Sequence, residues 1–285
     1  MASPQPPGLI ALTRPVPASL TSCELTHLER VPIDIGLARA QHAAYERLLA
    51  GLGCEVVPVS AAEDLPDSVF VEDIAIVLDE IAIVTRPGAV SRRAEAPAVA
   101  ATLGAFRQLQ WLSEPATMDG GDVLRLDRTL YVGLGTRTNA AGARQLADFV
   151  SAHGYRVCTV SVEACLHLKS AVTEAAPGVV VVNPDWVDGQ IFRGYEIIEV
   201  DPQEPAAANV LRIGDTVICA AAFARTNDRI SAVANVRTVD VSELAKAEGA
   251  VTCCSVLVSV PARRNQPTDE GLPDRGPADR GSRSY

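Results

Sequence analysis

The chain has 285 residues, 48% of them hydrophobic, which is enough for a sizeable core. Its formal net charge of −10 argues against a nucleic-acid footprint, which needs a basic patch. Its longest apolar runs, such as 178–182, are far too short to span a bilayer. Aromatic residues make up only 4%, so the core must be built from Val, Ile, Leu and Ala. The seven cysteines are odd in number, irregularly spaced and without a C-x-x-C pair. A disulfide framework and a structural zinc site are therefore not expected. With no signal peptide visible at the start, a reduced, cytoplasmic protein is predicted.

In chain order, residues 1–8 are Pro-rich and predicted to be flexible. A helical stretch covers 37–53, followed by the strand CEVVPVS from 54. DIAIVLDEIAIVTRPG (73–88) then shows an acidic start, a short apolar strand, a polar turn and a second apolar strand. The same shape returns in DVLRLDRTLYVGLGTRTN (122–139), HLKSAVTEAAPGVVVVNPD (167–185) and NVLRIGDTVICAAAFARTND (209–228), and in shortened form in the final CCSVLVSV. Helical stretches at 96–109, 140–154 and 241–249 lie between them, with strands YRVCTVSV (155–162) and RTVDVS (237–242). The recurrence at roughly 40–50 residues is that of a repeat architecture. It predicts an α/β fold of five strand–helix units about a pseudo-fivefold axis; an open α/β sheet with hairpins is the alternative. One folded domain is expected over 9–260, and 261–285, nearly without apolar residues, is expected to be a disordered tail.

A reactive or charged side chain stands near the head of each strand pair: Glu72–Asp73, Asp119 with Asp122, His167, Asn209 and Cys253. If the heads converge, one cavity holds carboxylates, an imidazole and a thiol. That set suits nucleophilic attack on a cationic, electron-poor carbon, and a guanidinium fits best. Each residue also has a plainer reading. A cysteine beside an apolar strand is ordinarily a small buried hydrophobe. His167 between leucines is ordinarily a satisfied core histidine. Asp119 in MDGGD can be turn chemistry. Glu72–Asp73 can end a strand in water, and Arg92 and Arg137 can be surface residues. A zinc site from Cys253, Cys254 and His167 lacks regular spacing. Strand alternation would place Cys253 and Cys254 on opposite faces, without saying which faces the cleft.

The motifs DSVFVED (67–73), TRPGAVSRR (85–93), ATMDGGDVL (116–124), VGLGTRTN (132–139), LHLKS (166–170) and LAKAEGAVTCCSVL (244–257) occur in the order seen in the dimethylarginine dimethylaminohydrolase family. The resemblance covers nearly all of 9–260. It implies the five-bladed α/β propeller (pentein) fold and hydrolysis of Nω-methylated arginines to citrulline, with no cofactor and no metal. It implies Cys253 as nucleophile, His167 as general acid and base, and Asp119 as the carboxylate that orients the imidazole. Asp67, Glu72 and Asp73 match positions that hold the guanidinium and amino end of the substrate. Arg92 and Arg137 match the clamp on the α-carboxylate, Leu25 a lid-loop position and Ala247 a backbone contact. The partner is a small-molecule substrate, acted on by a monomer or homodimer. The alternatives are an arginine deiminase or amidinotransferase-like enzyme, and a pentein-fold binding protein without turnover.

Overall fold

A computed structural model describes residues 8–162 and 164–260; the predicted flexible start, apart from Gly8, and the predicted tail lie outside the described residues. The chain opens with β1 (Gly8–Thr13), α1 (Ile35–Gly51) and β2 (Cys54–Pro58). Then come β3 (Ala75–Val77), β4 (Ile81–Val84), α2 (Ala96–Leu103) and β5 (Gln108–Trp111). β6 (Val123–Leu126), β7 (Thr129–Leu134), α3 (Ala140–Ser151) and β8 (Arg156–Ser161) repeat that order. α4 (Leu168–Ala171) leads into β9 (Val172–Ala176), β10 (Val179–Val182) and β11 (Glu196–Glu199). β12 (Leu211–Ile213), β13 (Thr216–Ala220), α5 (Ala224–Ile230), β14 (Asn235–Val239), α6 (Ser242–Ala245) and β15 (Val256–Val260) complete the chain.

These strands form five three-stranded sheets with one common plan. In each, the middle strand pairs antiparallel with one neighbour and parallel with the other, as β4 does with β3 and β5. The antiparallel pair needs only a tight turn, whereas the parallel pair needs the longer crossover that most units fill with a helix. The first sheet departs in one respect: β1 and β2 come from the N-terminal part, but the antiparallel partner is β15. The last strand thus completes the first blade, and β15 packs beside β3 of the second. The result is the five-bladed α/β propeller that the repeat and the resemblance predict.

The apolar residues divide into five clusters, each joining neighbouring blades. One collects Ile83 of β4, Val132 of β7 and Leu146 of α3. α1 buries Ala38, Tyr45 and Leu49, one stripe at helical spacing, and Asp34 caps its start by accepting from the Leu37 N–H at 2.9 Å.

Several boundaries differ from the expectations. The helix expected over 96–109 ends at Leu103, and Gln108–Trp111 becomes β5, because its backbone completes the open edge of β4. Residues 224–230, expected to trail from a strand, form α5; Glu204 caps it by accepting from the Arg225 and Thr226 N–H groups at 3.0 and 2.8 Å. The 241–249 helix is only four residues long. Cys253 and Cys254 do not belong to a strand: residues 251–254 are a turn, and β15 starts at Val256.

Candidate active site

Two short 3-10 turns carry the acidic residues. Val71–Ile74 buries Glu72 and Asp73, and Gly120–Asp122 follows Asp119. The glycine pair of MDGGD is there for close approach. A Cβ on Gly120 would stand 2.0 Å from the Glu72 carbonyl oxygen, and one on Gly121 would stand 2.6 Å from His167 Nδ1. No side chain fits either place, so the two turns and the imidazole pack directly. His167 itself caps the short helix α4 with extended backbone.

His167 Nε2 lies 3.1 Å from Asp119 Oδ2, and Nδ1 lies 3.8 Å from Asp73 Oδ1. Asp119 Oδ1 accepts from the Gly88 N–H at 2.9 Å, while Asp73 Oδ1 accepts from the Gly121 N–H at 3.1 Å. Asp122 lies behind the imidazole: it accepts from the Thr138 hydroxyl at 2.6 Å and from the Leu168 N–H at 3.0 Å. All four side chains are buried. Burial by itself would push the imidazole down. The charges of Asp73, Asp122 and Asp119 outweigh it and hold His167 up at about 9. Burial also pushes Asp122 up to about 6. Asp73 goes the other way, below the usual carboxylate range, because His167 and Arg92 together outweigh its burial.

Cys253 lines the same cavity as Asp73, Asp119 and His167. Burial, and then the negative charges of Glu72 and Asp73, push its thiol well above the usual cysteine value. Cys254 is fully buried with Tyr45 and Leu49, and its thiol contacts the Ala250 carbonyl at 3.5 Å. Strand alternation does not separate the pair; the turn does.

The other predicted positions divide. Asp67, Arg92, Arg137 and Ala247 line the cavity, as does Glu24, which the sequence did not single out. Leu25 is half-buried against the core cluster that holds Ala247 and Cys253. Asp67 accepts from the Glu24 N–H, which ties the loop to the cavity wall. Arg137 presents its guanidinium near that loop and donates to Thr26 Oγ1 at 2.9 Å. Arg92 is buried and heavily engaged: it donates to Asp73 at 2.5 Å, to both Glu95 oxygens at 3.0 Å, and to the carbonyls of Asp67 and Phe70. It braces Asp73 from behind. Glu72 turns away from this cavity, accepting from Lys169 Nζ and Thr252 Oγ1, both at 2.7 Å. Asn209 joins that group through Lys169 and Thr252.

Glu95, Lys169 and Thr252 were not singled out in the sequence, and Asp122 was named only as a head of its strand pair, without a role. Of the first three, only Glu95 carried a local signal, three residues after Arg92. Among the described residues, Asp73, Asp119 and His167 offer ligand atoms within 4.8 Å of one another, near enough to hold a metal ion. Their oxygens are already committed to Arg92, Gly121, Gly88 and the imidazole, so the trio is built as a hydrogen-bonded acid–base unit.

A buried thiol that lines one cavity with an imidazole held by two carboxylates, carried on five α/β blades of common plan, is the arrangement of a pentein-class enzyme. Known proteins agree. The family model described as "N,N dimethylarginine dimethylhydrolase, eukaryotic" matches residues 29–259. A dimethylarginine dimethylaminohydrolase of Streptomyces coelicolor is 42% identical over 88% of this chain and 97% of that protein. The enzyme of Pseudomonas aeruginosa, solved as a cysteine-to-serine variant complexed with citrulline, superposes with a TM-score of 0.84 at 32% identity, over 89% of this chain and 99% of that one. A histidine-to-glycine dimethylarginine dimethylaminohydrolase adduct with S-methyl-L-thiocitrulline gives 0.83 at 31% identity, over 89% and 100%. The chain belongs to the dimethylarginine dimethylaminohydrolase family.

Proposed function

We infer that the protein hydrolyses Nω-methylated L-arginines, Nω,Nω-dimethylarginine and the monomethyl form, to L-citrulline and dimethylamine or methylamine. One observation carries this reading: Cys253, His167, Asp73 and Asp119 line one buried cavity. In the free protein the thiol is held neutral by burial and by the nearby carboxylates. A guanidinium entering beside Asp73 brings the missing positive charge, which favours the thiolate, the thiol proton passing to solvent as the substrate enters. Binding and activation are then one electrostatic event. The thiolate of Cys253 attacks the guanidinium carbon. His167 gives its proton to the departing dimethylamine, leaving a planar S-alkylthiouronium. His167 then deprotonates a water that attacks the same carbon, and Cys253 leaves as citrulline forms. Asp119 keeps the imidazole oriented through both proton transfers and stabilises its protonated form before the first and after the second. Arg137 at the rim and Asp67 beneath the loop suit the carboxylate and amino ends of the substrate.

The reading includes a protein acting as a monomer or homodimer in the cytoplasm, where the seven cysteines remain free thiols. No helix of the described residues is long and apolar enough to cross a membrane.

Citrulline release from dimethylarginine, compared with release from arginine at equal concentration, tests the assignment. Cys253→Ser should lower turnover by about 10³-fold or more while circular dichroism stays unchanged. Cys254→Ser should keep most of the activity. Activity surviving at 253 and lost at 254 would reverse the assignment of the pair.

A further inference from the structure

Glu248 follows α6, where its N–H donates to the Ala245 carbonyl at 3.1 Å and the Gly249 N–H donates to the Leu244 carbonyl at 3.0 Å. That pair of bonds closes a helix through one residue in the left-handed conformation, a place that glycine usually fills. Glu248 fills it, with a φ of 58°. A glycine would adopt this backbone without the steric cost of a Cβ. The cost has a visible return. The left-handed turn sends the side chain across to residues 24–28, more than 200 positions away in sequence. Its Oε1 accepts from the Thr26, His27 and Leu28 N–H groups at 3.1, 2.5 and 2.7 Å, and Oε2 accepts from Thr26 at 3.0 Å. One carboxylate thus gathers three successive backbone donors, the arrangement of an anion nest.

The same loop is held from the other side. Asp67 accepts from the Glu24 N–H, the Ser91 hydroxyl donates to the Glu24 carboxylate at 2.5 Å, and Arg137 donates to Thr26. Glu24, Asp67, Arg137 and Glu248 all line the reaction cavity. The loop is therefore a wall of the site, and its hydrogen bonds come from side chains of distant segments rather than from a sheet or helix.

We propose that Glu248 is a positioning residue that pins the 24–28 loop over the cavity, so that substrate meets a wall already ordered. Ordering a loop on binding weakens affinity, and a loop ordered beforehand spares that loss. The chemistry at Cys253 and His167 does not involve Glu248, so its effect falls on KM rather than kcat. The proposal uses the methylarginine hydrolysis inferred above for its kinetic readout only.

Two variants of the full chain test it. Glu248→Gly suits the left-handed backbone, so Tm should hold or rise. KM for dimethylarginine should rise about tenfold with kcat within about twofold, the scale of losing a charged acceptor from several donors. Hydrogen–deuterium exchange at residues 24–28 should quicken. Glu248→Gln keeps an acceptor oxygen without the charge and should fall between wild type and the glycine variant in both readouts. Unchanged KM with unchanged exchange at 24–28 would overturn the proposal. So would parallel losses of kcat and Tm in Glu248→Gly, which would make the residue a support of the fold. If wild type released no citrulline, the function inferred above would fail, and the exchange measurement would still decide whether Glu248 holds the loop.

Discussion

His167 shows how a single side chain takes its chemistry from its surroundings. Buried alone, an imidazole stays neutral; surrounded by Asp73, Asp119 and Asp122 it holds a proton up to about 9. The proton that the proposed mechanism asks of it is therefore in place at neutral pH. That surrounding depends on Gly121, because nothing larger than hydrogen fits between Asp73 and the ring. In Gly121→Ala the new methyl would stand 2.6 Å from Nδ1 and 2.8 Å from Asp73 Oδ1. Citrulline release should fall by about 100-fold or more, the scale of a misplacement of about an ångström in a catalytic group. Retained activity in that variant would mean that the Asp73–His167 approach is not needed. At this scale the acidic heads, the histidine and the thiol are legible in the sequence. Their directions are not. Glu72 and Asp73 are adjacent residues, yet one turns to Lys169 and Thr252 and the other to the imidazole and Arg92.

Among the elements, β15 has the largest consequence for its length. It pairs with β1, completing the first blade, and the turn that carries Cys253 leads directly into it. Tyr45 of α1 hydrogen-bonds Ser255, between that turn and β15, at 2.7 Å, so the helix and the strand hold the turn of Cys253 from two sides. Val258 is fully buried at the middle of β15. Val258→Ala removes two buried methyl groups and should cost about 2 kcal/mol, read as a lower urea midpoint with unchanged m. A midpoint equal to wild type would mean that the strand's packing contributes little to closure. Strand pairs such as 73–88 and 122–139 were legible from their alternation of apolar runs and tight turns. β5 and α5 were not. β5 is defined by pairing with β4, and α5 by a carboxylate cap from Glu204, neither of which leaves a local period.

At the scale of the whole molecule, five blades bring charged heads to one centre, and that concentration couples stability to pH. The folded value for His167, about 9, lies above its ordinary 6.5. The folded state therefore binds this proton more tightly than the unfolded chain. Its contribution to stability is fully present below about pH 6.5 and is lost as pH rises through about 9. Wild-type Tm should fall across that window, and His167→Gln should lack this component when both are scanned in the same buffers. Parallel pH profiles for the two would mean that the imidazole is not held charged in the folded protein.

The repeat of strand pairs and the order of the motifs were properties of the sequence alone, because hydrophobic period and tight turns are local; they were sufficient for the architecture and for bringing forward Asp73, Asp119, His167 and Cys253, which line one cavity. Tertiary structure alone decided that a turn, not strand alternation, separates the twin cysteines, why Arg92 is buried behind Asp73, and where the Glu248 carboxylate goes. Those outcomes depend on partners such as Glu72 with Thr252, or Glu248 with Thr26, that lie about 180 and 220 residues apart. No local pattern encodes a contact at that distance. Closure of the ring by β15 brings the turn that carries Cys253 against the acidic heads.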